Sequence, residues 1–354
     1  MKEKLKIEVI PLPEIEHPFQ QGIDGWLGGD CAFSLPLSKD RVLWLFGDTF
    51  VRNNKQLSRE GAIFINNSIA IQNGNFLSDR NSLHFYWKRE NGNHRAFFET
   101  EVDPGFLWPL SAAMIGDKVF VFAVRIVNSD LTKVFGFRQI GQEIIAIENP
   151  LDDPPNWQMT VYKQAWQPNL GSFVSNFFNT DNYLYIYGYR NTRPDWTDPI
   201  INLVIARIKN EHTHQIYDTK NWEYLDGTIG KWSSDIHNVK PVIEHFTTEF
   251  SITFLPELKK FVLIANEWKH PHPISVRFSD TPFSQFSEPQ IVYQCPEIEW
   301  NPNYFCYAAK AHPELSQHPN ELVVSYVTNS KVFQDCFNDL RIYFPRFVKI
   351  RFHK

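Results

Sequence analysis

Only four cysteines occur in 354 residues, and none are spaced as CxxC. That count argues against a disulfide framework and against CxxC-type redox or metal chemistry. No lysine- and arginine-rich run is present, and acids outnumber bases by 40 to 35, for a formal net charge of -5. Nucleic acid is therefore not an expected partner. No stretch approaches the ~18 consecutive apolar residues of a membrane helix, so no membrane association is expected. The opening, MKEKLKIEVIPLPEIE, carries charges where a secretory signal needs an apolar core. The expectation is a cytoplasmic protein, or a secreted one whose leader lies outside this sequence. The signatures GxGxxG, the P-loop and GxSxG are missing, and with them the usual marks of dinucleotide, nucleotide and serine-hydrolase chemistry. Helical periodicity is almost absent too.

What is present is aromatic and strand-like. Phe, Trp and Tyr make up 15% of the chain, with 30 Phe and 11 Trp; such residues suit strands, cores and surfaces that stack on sugar rings. Short runs rich in Val, Ile, Phe and Tyr alternate with Asn, Asp, Gly and Pro. One hairpin pattern recurs: DCAFSLPLSKDRVLWLFGD from Asp30 to Asp48, WPLSAAMIGDKVFVFAVR from Trp108 to Arg125, GSFVSNFFNTDNYLYIYGYR from Gly171 to Arg190, EFSITFLPELKKFVLIANE from Glu249 to Glu267, and Tyr307 to Asn329. The copies start about 60 to 80 residues apart, a spacing compatible with propeller blades that carry insertions. Further strand-like runs follow the hairpins, AIFINNSIAIQ and SLHFYWK after the first. After the last, only RFVKIRF remains, and LKIEVIPL at the start would supply the missing strand. The predicted fold is all-β: a single five-bladed β-propeller domain over 1–354, blades starting near 30, 108, 171, 249 and 307, closed by pairing of the terminal strands. A pair of β-sandwiches is the alternative.

In an antiparallel hairpin, the start of the first strand and the end of the second lie at one end. That places Asp30 with Asp48, Trp108 with Arg125, Ser172 with Arg190, Glu249 with Glu267, and Tyr307 with Asn329, around one mouth of the propeller. Concave polar pockets of this kind are common functional sites. Gly-Asp is also ordinary turn chemistry, and each aspartate alone reads as punctuation. Two at matching ends of one hairpin fit the paired carboxyls of general acid and base work. Glu249 is a third carboxylate, tuning a pKa or replacing one of the pair. Arg125 and Arg190 are counter-ions for these acids or ligands for substrate oxygens. Trp26 and Trp108 are candidate stacking surfaces, and His312 is a hydrogen-bonded core residue or a site residue. Cys31 reads as a small buried residue. HTH at 212–214 and KHPHP at 269–273 lack partner ligands and read as solvated loops. No metal or cofactor is expected, although an ion in the channel stays open.

The stretch GGDCAFSLPLSKDRVLWLFGDTF, with Trp26 before it, resembles the opening blade of the family catalogued as domain of unknown function 4185. TEFSITFLPELKKFVL, VRFSDTPFSQFSEP and the HPEL to VVSYVTN ending are similar to its later blades. The resemblance implies a five-bladed propeller related to arabinanase folds, in a family whose members include endo-acting hydrolases of D-arabinan. It implies that Asp30 and Asp48 are the acid and the base. The expected function is a glycoside hydrolase on a furanoside-type, arabinan-like oligo- or polysaccharide, with carbohydrate as partner. The alternatives are a non-catalytic sugar-binding or scaffold propeller, and a transferase, phosphorylase or lyase on the same fold.

Overall fold

The computed structural model describes residues 5–52, 57–74, 82–102, 104–129, 136–164, 169–193, 199–227, 230–267 and 272–353. The chain is all-β with a few short helical turns, and the strands among the described residues form seven sheets. Five of these sheets open on the five expected hairpins. Among the described residues no helix is long and apolar enough to cross a membrane. The strands divide between two compact units, the first made of Met1–Phe98, Glu249–Arg277 and Glu288–Lys354, the second of Glu99–Thr248 and Phe278–Ser287.

In the first unit, Phe33–Ser38, Arg41–Phe46, Ser68–Asn73 and Leu83–Tyr86 form one antiparallel sheet in that order. The run VLWLF is buried at every position, so it lacks the alternation of a half-exposed strand. Its neighbours are packed aromatics: Trp26 stacks on Phe85 with centroids 4.5 Å apart, and Phe19 sits edge-on to Trp26 and Trp44. The fourth hairpin, Phe250–Leu255 and Lys260–Asn266, opens a second sheet. The fifth, Tyr304–His312 and Glu321–Ser330, is joined by Pro345–His353 and then by Lys6–Pro11. The N-terminal strand thus completes the last sheet, in register from Lys6 opposite His353 to Pro11 opposite Val348. That pairing covers an edge that a three-stranded sheet leaves open.

The run AIFINNSIAIQ is not one strand. It breaks at Asn66 and Asn67 into Ile63–Ile65 and Ser68–Asn73, which belong to different sheets. Asn67 is buried and its amide is satisfied by the Phe98 backbone, at 2.9 Å from Nδ2 to the carbonyl and 2.8 Å from the amide N to Oδ1. Two asparagines placed this way favour local side-chain bonds over a continuous ladder. Ile63–Ile65 pairs instead in a small sheet with Thr49–Val51 and Trp26–Gly29.

Among the described residues the second unit holds two antiparallel sheets. Phe106–Ile115, Lys118–Asn128, Phe137–Ile147 and Met159–Gln164 make one. Ser172–Asn179, Tyr183–Asn191, Ile201–Lys209, Trp222–Leu225 and Trp232–Ser233 make the other.

Candidate active site

The first hairpin brings Asp30 and Asp48 side by side. Phe33 pairs with Leu45 at its end. Beyond that pair the Gly47 amide donates to the Asp30 carbonyl at 3.1 Å, and the Asp30 amide donates to the Asp48 carbonyl at 3.3 Å. The turn into the strand forces Cys31 and Ala32 to positive φ, 68° and 44°, a conformation that costs non-glycine residues on the order of 1–2 kcal/mol each. Asp30 packs against the bare face of Gly47, where an added Cβ would lie 2.4 Å from its Oδ1. Gly47→Ala is therefore expected to cost about 1–3 kcal/mol through overpacking. Thermal melting checks this, and an unchanged midpoint would mean that the Asp30 carboxyl has room to step aside.

The fifth hairpin supplies the partners. Its register slips between Tyr307 and Lys310, and Ala308, inside the slip, has φ 59°. A bulge re-aims the side chains on either side of it. Tyr307 donates its hydroxyl to Asp30 Oδ2 at 2.6 Å, while Lys310 Nζ lies 3.6 Å from Glu249 Oε1. Asn329 Nδ2 donates to the Tyr307 hydroxyl at 3.3 Å, and Tyr343 donates to Asp30 Oδ2 at 3.4 Å. Asp48 is half-buried and accepts from Asn66 Nδ2 at 3.3 Å.

Burial pushes the Asp30 carboxyl up to about 7. The Tyr307 hydrogen bond opposes this, the charge of Glu249 adds to it, and Lys310 opposes it again. Asp30 Oδ1 and Glu249 Oε1 are buried and, among the described residues, accept no hydrogen bond from nitrogen or oxygen. Cys31 lies beside both acids, and burial together with their charges holds its thiol well above the ordinary range. Burial does the same to the Tyr307 and Tyr343 phenols, which leaves them neutral donors. The site thus holds one carboxyl, that of Asp30, that keeps its proton up to near neutral pH, beside two further acids and among neutral donors. That is the equipment of general acid and base catalysis.

Five of the residues expected at the site meet in the first unit: Asp30, Asp48, Glu249, Tyr307 and Asn329. Three others of that unit do different work. Trp26 is 0% exposed and donates Nε1 to Ser68 Oγ at 3.1 Å; its ring is core, not a face offered to sugar. His312 is 1% exposed, with Nδ1 2.5 Å from Ser34 Oγ, Nε2 2.7 Å from Ser325 Oγ, and its ring against Trp44. Burial and the charge of Lys310 lower its pKa to about 3, so it is a neutral core histidine. Glu267 is engaged by Arg277 at 3.2 Å and by Ser275 at 2.5 Å.

The remaining four lie in the second unit. Trp108 is half-buried between Phe106 and Phe137. Arg125 meets Glu143 at 3.2 Å, Ser172 accepts from Gln139 at 2.7 Å, and Arg190 donates to the Asn169 carbonyl at 2.9 Å. His212 and His214 sit on the helical turn Asn210–Gln215. Residues 269–271 of KHPHP lie outside the described residues. Among those described, no group of three His, Cys, Asp or Glu is placed to hold a metal ion.

Sequence reasoning missed Tyr343, Lys310, Asn66 and Arg59. A lysine inside the apolar strand YFCYAAKAH is the only signal for Lys310. Tyr343 lies before the last strand in a segment with no pattern, at φ 65°. A pocket of ≈ 350 Å³ in the same unit, lined by Leu27, Arg59, Trp300 and Arg341 among others, contains none of the three carboxylates.

Residues 17–352 match the family described as domain of unknown function DUF5005. Its number differs from that of the family that the opening motif resembles. Among curated proteins none matches. Among solved structures the chain is similar to a Bacteroides ovatus protein described as a candidate hydrolase. The TM-score is 0.73 at 19% identity, covering 97% of this chain and 90% of that one. It is also similar to the catalytic domain of the GH62 α-L-arabinofuranosidase of Coprinopsis cinerea, with a TM-score of 0.50 at 6% identity, over 92% and 91% of the two chains. At such identities the likeness speaks to the all-β fold alone. The family match spans nearly the whole chain, and the protein belongs to the DUF5005 family.

Proposed function

We propose that this protein is a glycoside hydrolase acting on a furanoside-type, arabinan-like oligo- or polysaccharide, and that the five hairpin-led sheets are the blades of one propeller. Asp30 protonates the glycosidic oxygen as it leaves. Asp48 activates a water molecule or attacks the anomeric carbon. The observation that carries this reading is the pairing of two aspartates at one hairpin end, one of them held protonated near neutral pH by burial and the other half-exposed and hydrogen-bonded. Two carboxyls whose environments push their pKa values apart can act as acid and base at the same pH. The likeness to the Bacteroides ovatus and Coprinopsis cinerea proteins supports the fold on which this reading is built.

The test is release of reducing ends from arabinan and arabinofuranosyl oligosaccharides. Asp48→Asn, nearly isosteric with the native residue, is expected to lower turnover about 10²–10⁴-fold. Turnover unchanged in this variant refutes the role given to Asp48. Sugar phosphate or an unsaturated product would instead identify a phosphorylase or a lyase.

A further inference from the structure

Lys310 is 1% exposed, inside a strand that is otherwise mainly apolar. It faces Glu249 across 3.6 Å, with side chains 2% and 10% exposed, and the Phe33 ring lies 5.6 Å from its ammonium. An ammonium buried against a neutral partner carries a heavy desolvation cost, which an adjacent carboxylate offsets. Among the described residues, Asp30, Cys31 and the Tyr307 phenol face this pair, Tyr343 and Asp48 lie beyond Asp30, and neutral His312 stands two residues along the strand. The cation touches Glu249. Asp30 accepts from the neutral hydroxyls of Tyr307 and Tyr343, at 2.6 and 3.4 Å, with the neutral Cys31 thiol beside it. One positive charge among two crowded acids can balance one anion, and its position selects which.

We propose that Lys310 is a positioning residue that fixes the negative charge of the buried acid pair on Glu249 and so leaves the site's proton on Asp30. The bulge between Tyr307 and Lys310 is the device that aims both groups. Lys310 acts through Glu249, its ion-pair partner, and so decides which carboxyl can donate. The consequence for turnover rests on the hydrolase reading, whereas the charge distribution does not.

Carbon-13 carboxyl titration of the whole protein by NMR tests the proposal without substrate. Resonances are assigned from Asp30→Asn and Glu249→Gln. In the wild type the Glu249 carboxyl is expected to lose its proton at lower pH than Asp30 does. In Lys310→Met the Glu249 midpoint is expected to rise by about one pH unit or more; in Lys310→Arg it is expected to stay in place. A Glu249 midpoint unmoved in a folded Lys310→Met protein overturns the proposal, as does a wild-type Glu249 that titrates above Asp30. Should Lys310→Met fail to fold, Glu249→Gln decides. With that charge gone and Lys310 still present, Asp30 is expected to titrate lower, and an unchanged Asp30 overturns the proposal. Hydrolysis assays on the same proteins separate the two ideas, because the expected titrations without any hydrolysis count against the hydrolase reading alone.

Discussion

Asp30→Asn is expected to abolish hydrolysis, by about 10³-fold or more, and at the same time to make the protein more stable above pH 7. The first effect follows from removing the proposed proton donor. The second follows from linkage. Asp30 titrates near 7 in the fold and ordinarily near 3.8. Between those values the native state binds more protons than the unfolded chain, so stability falls as pH rises from about 4 to 7 and levels off above. Glu16, raised to about 7 by burial, slopes the curve the same way. Asparagine removes the Asp30 share and leaves that of Glu16. The variant should therefore gain on the order of 2–4 kcal/mol over the wild type at pH 8 and little at pH 4. Urea unfolding at the two pH values measures this. Equal stability at pH 8 would mean that Asp30 is ionised in the native state at no cost, which removes the argument for its role as the acid. Loss of activity with a gain in stability is a pairing that a purely structural aspartate does not produce.

The second large effect concerns Arg59. Its side chain is buried, and its guanidinium donates to five backbone carbonyls: Leu27 at 2.8 Å, Cys336 at 2.6 Å, Asp339 at 3.4 Å, Ile342 at 2.8 Å and Tyr343 at 3.4 Å. One residue thus ties the strand before Asp30 to the segment that carries Tyr343. Burial lowers its pKa to about 10, which leaves it cationic at neutral pH. Gly28 makes room for it: a Cβ there would lie 2.5 Å from Nη2 and 2.3 Å from the Tyr343 carbonyl, at a φ of 141°. Arg59→Leu strands these carbonyls and is expected to cost about 4 kcal/mol or more, a fall of roughly 10 °C in Tm. Arg59→Lys should recover little, because a single ammonium cannot reproduce the planar fork. A leucine variant that melts within about 2 °C of the wild type would show that water replaces the guanidinium at small cost. The loss should also reach the site, since freeing residues 336–343 withdraws the Tyr343 hydroxyl from Asp30.

Hairpins were legible because their signal is local. VLWLF, VFVFAV, YLYIYGY, FVLIAN and LVVSYV are apolar runs bounded by turn residues, and each became the second strand of a sheet. The adjacency of Asp30 and Asp48 was legible for the same reason, as it follows from antiparallel pairing within a single hairpin. The shortage of one strand at the C-terminus likewise pointed to Lys6–Pro11.

What lay beyond the sequence depends on contacts between residues far apart in the chain. Tyr307 reaches Asp30 across 277 residues and Tyr343 across 313. Trp26 and His312 carry residue types suited to sugar binding, yet both are core, because the aromatic packing of Phe85 and Trp44 encloses them. The strand pattern fixes which residues share an end of a hairpin. It does not encode a register slip such as the one between Tyr307 and Lys310, and that slip decides which groups meet the acids. Alternation and turn chemistry act over a few residues, and so sequence alone determined the strands and the pairing of the two aspartates. Burial, bulges and long-range hydrogen bonds act only once the chain has closed on itself, and so the tertiary structure decided which groups meet Asp30 and Glu249.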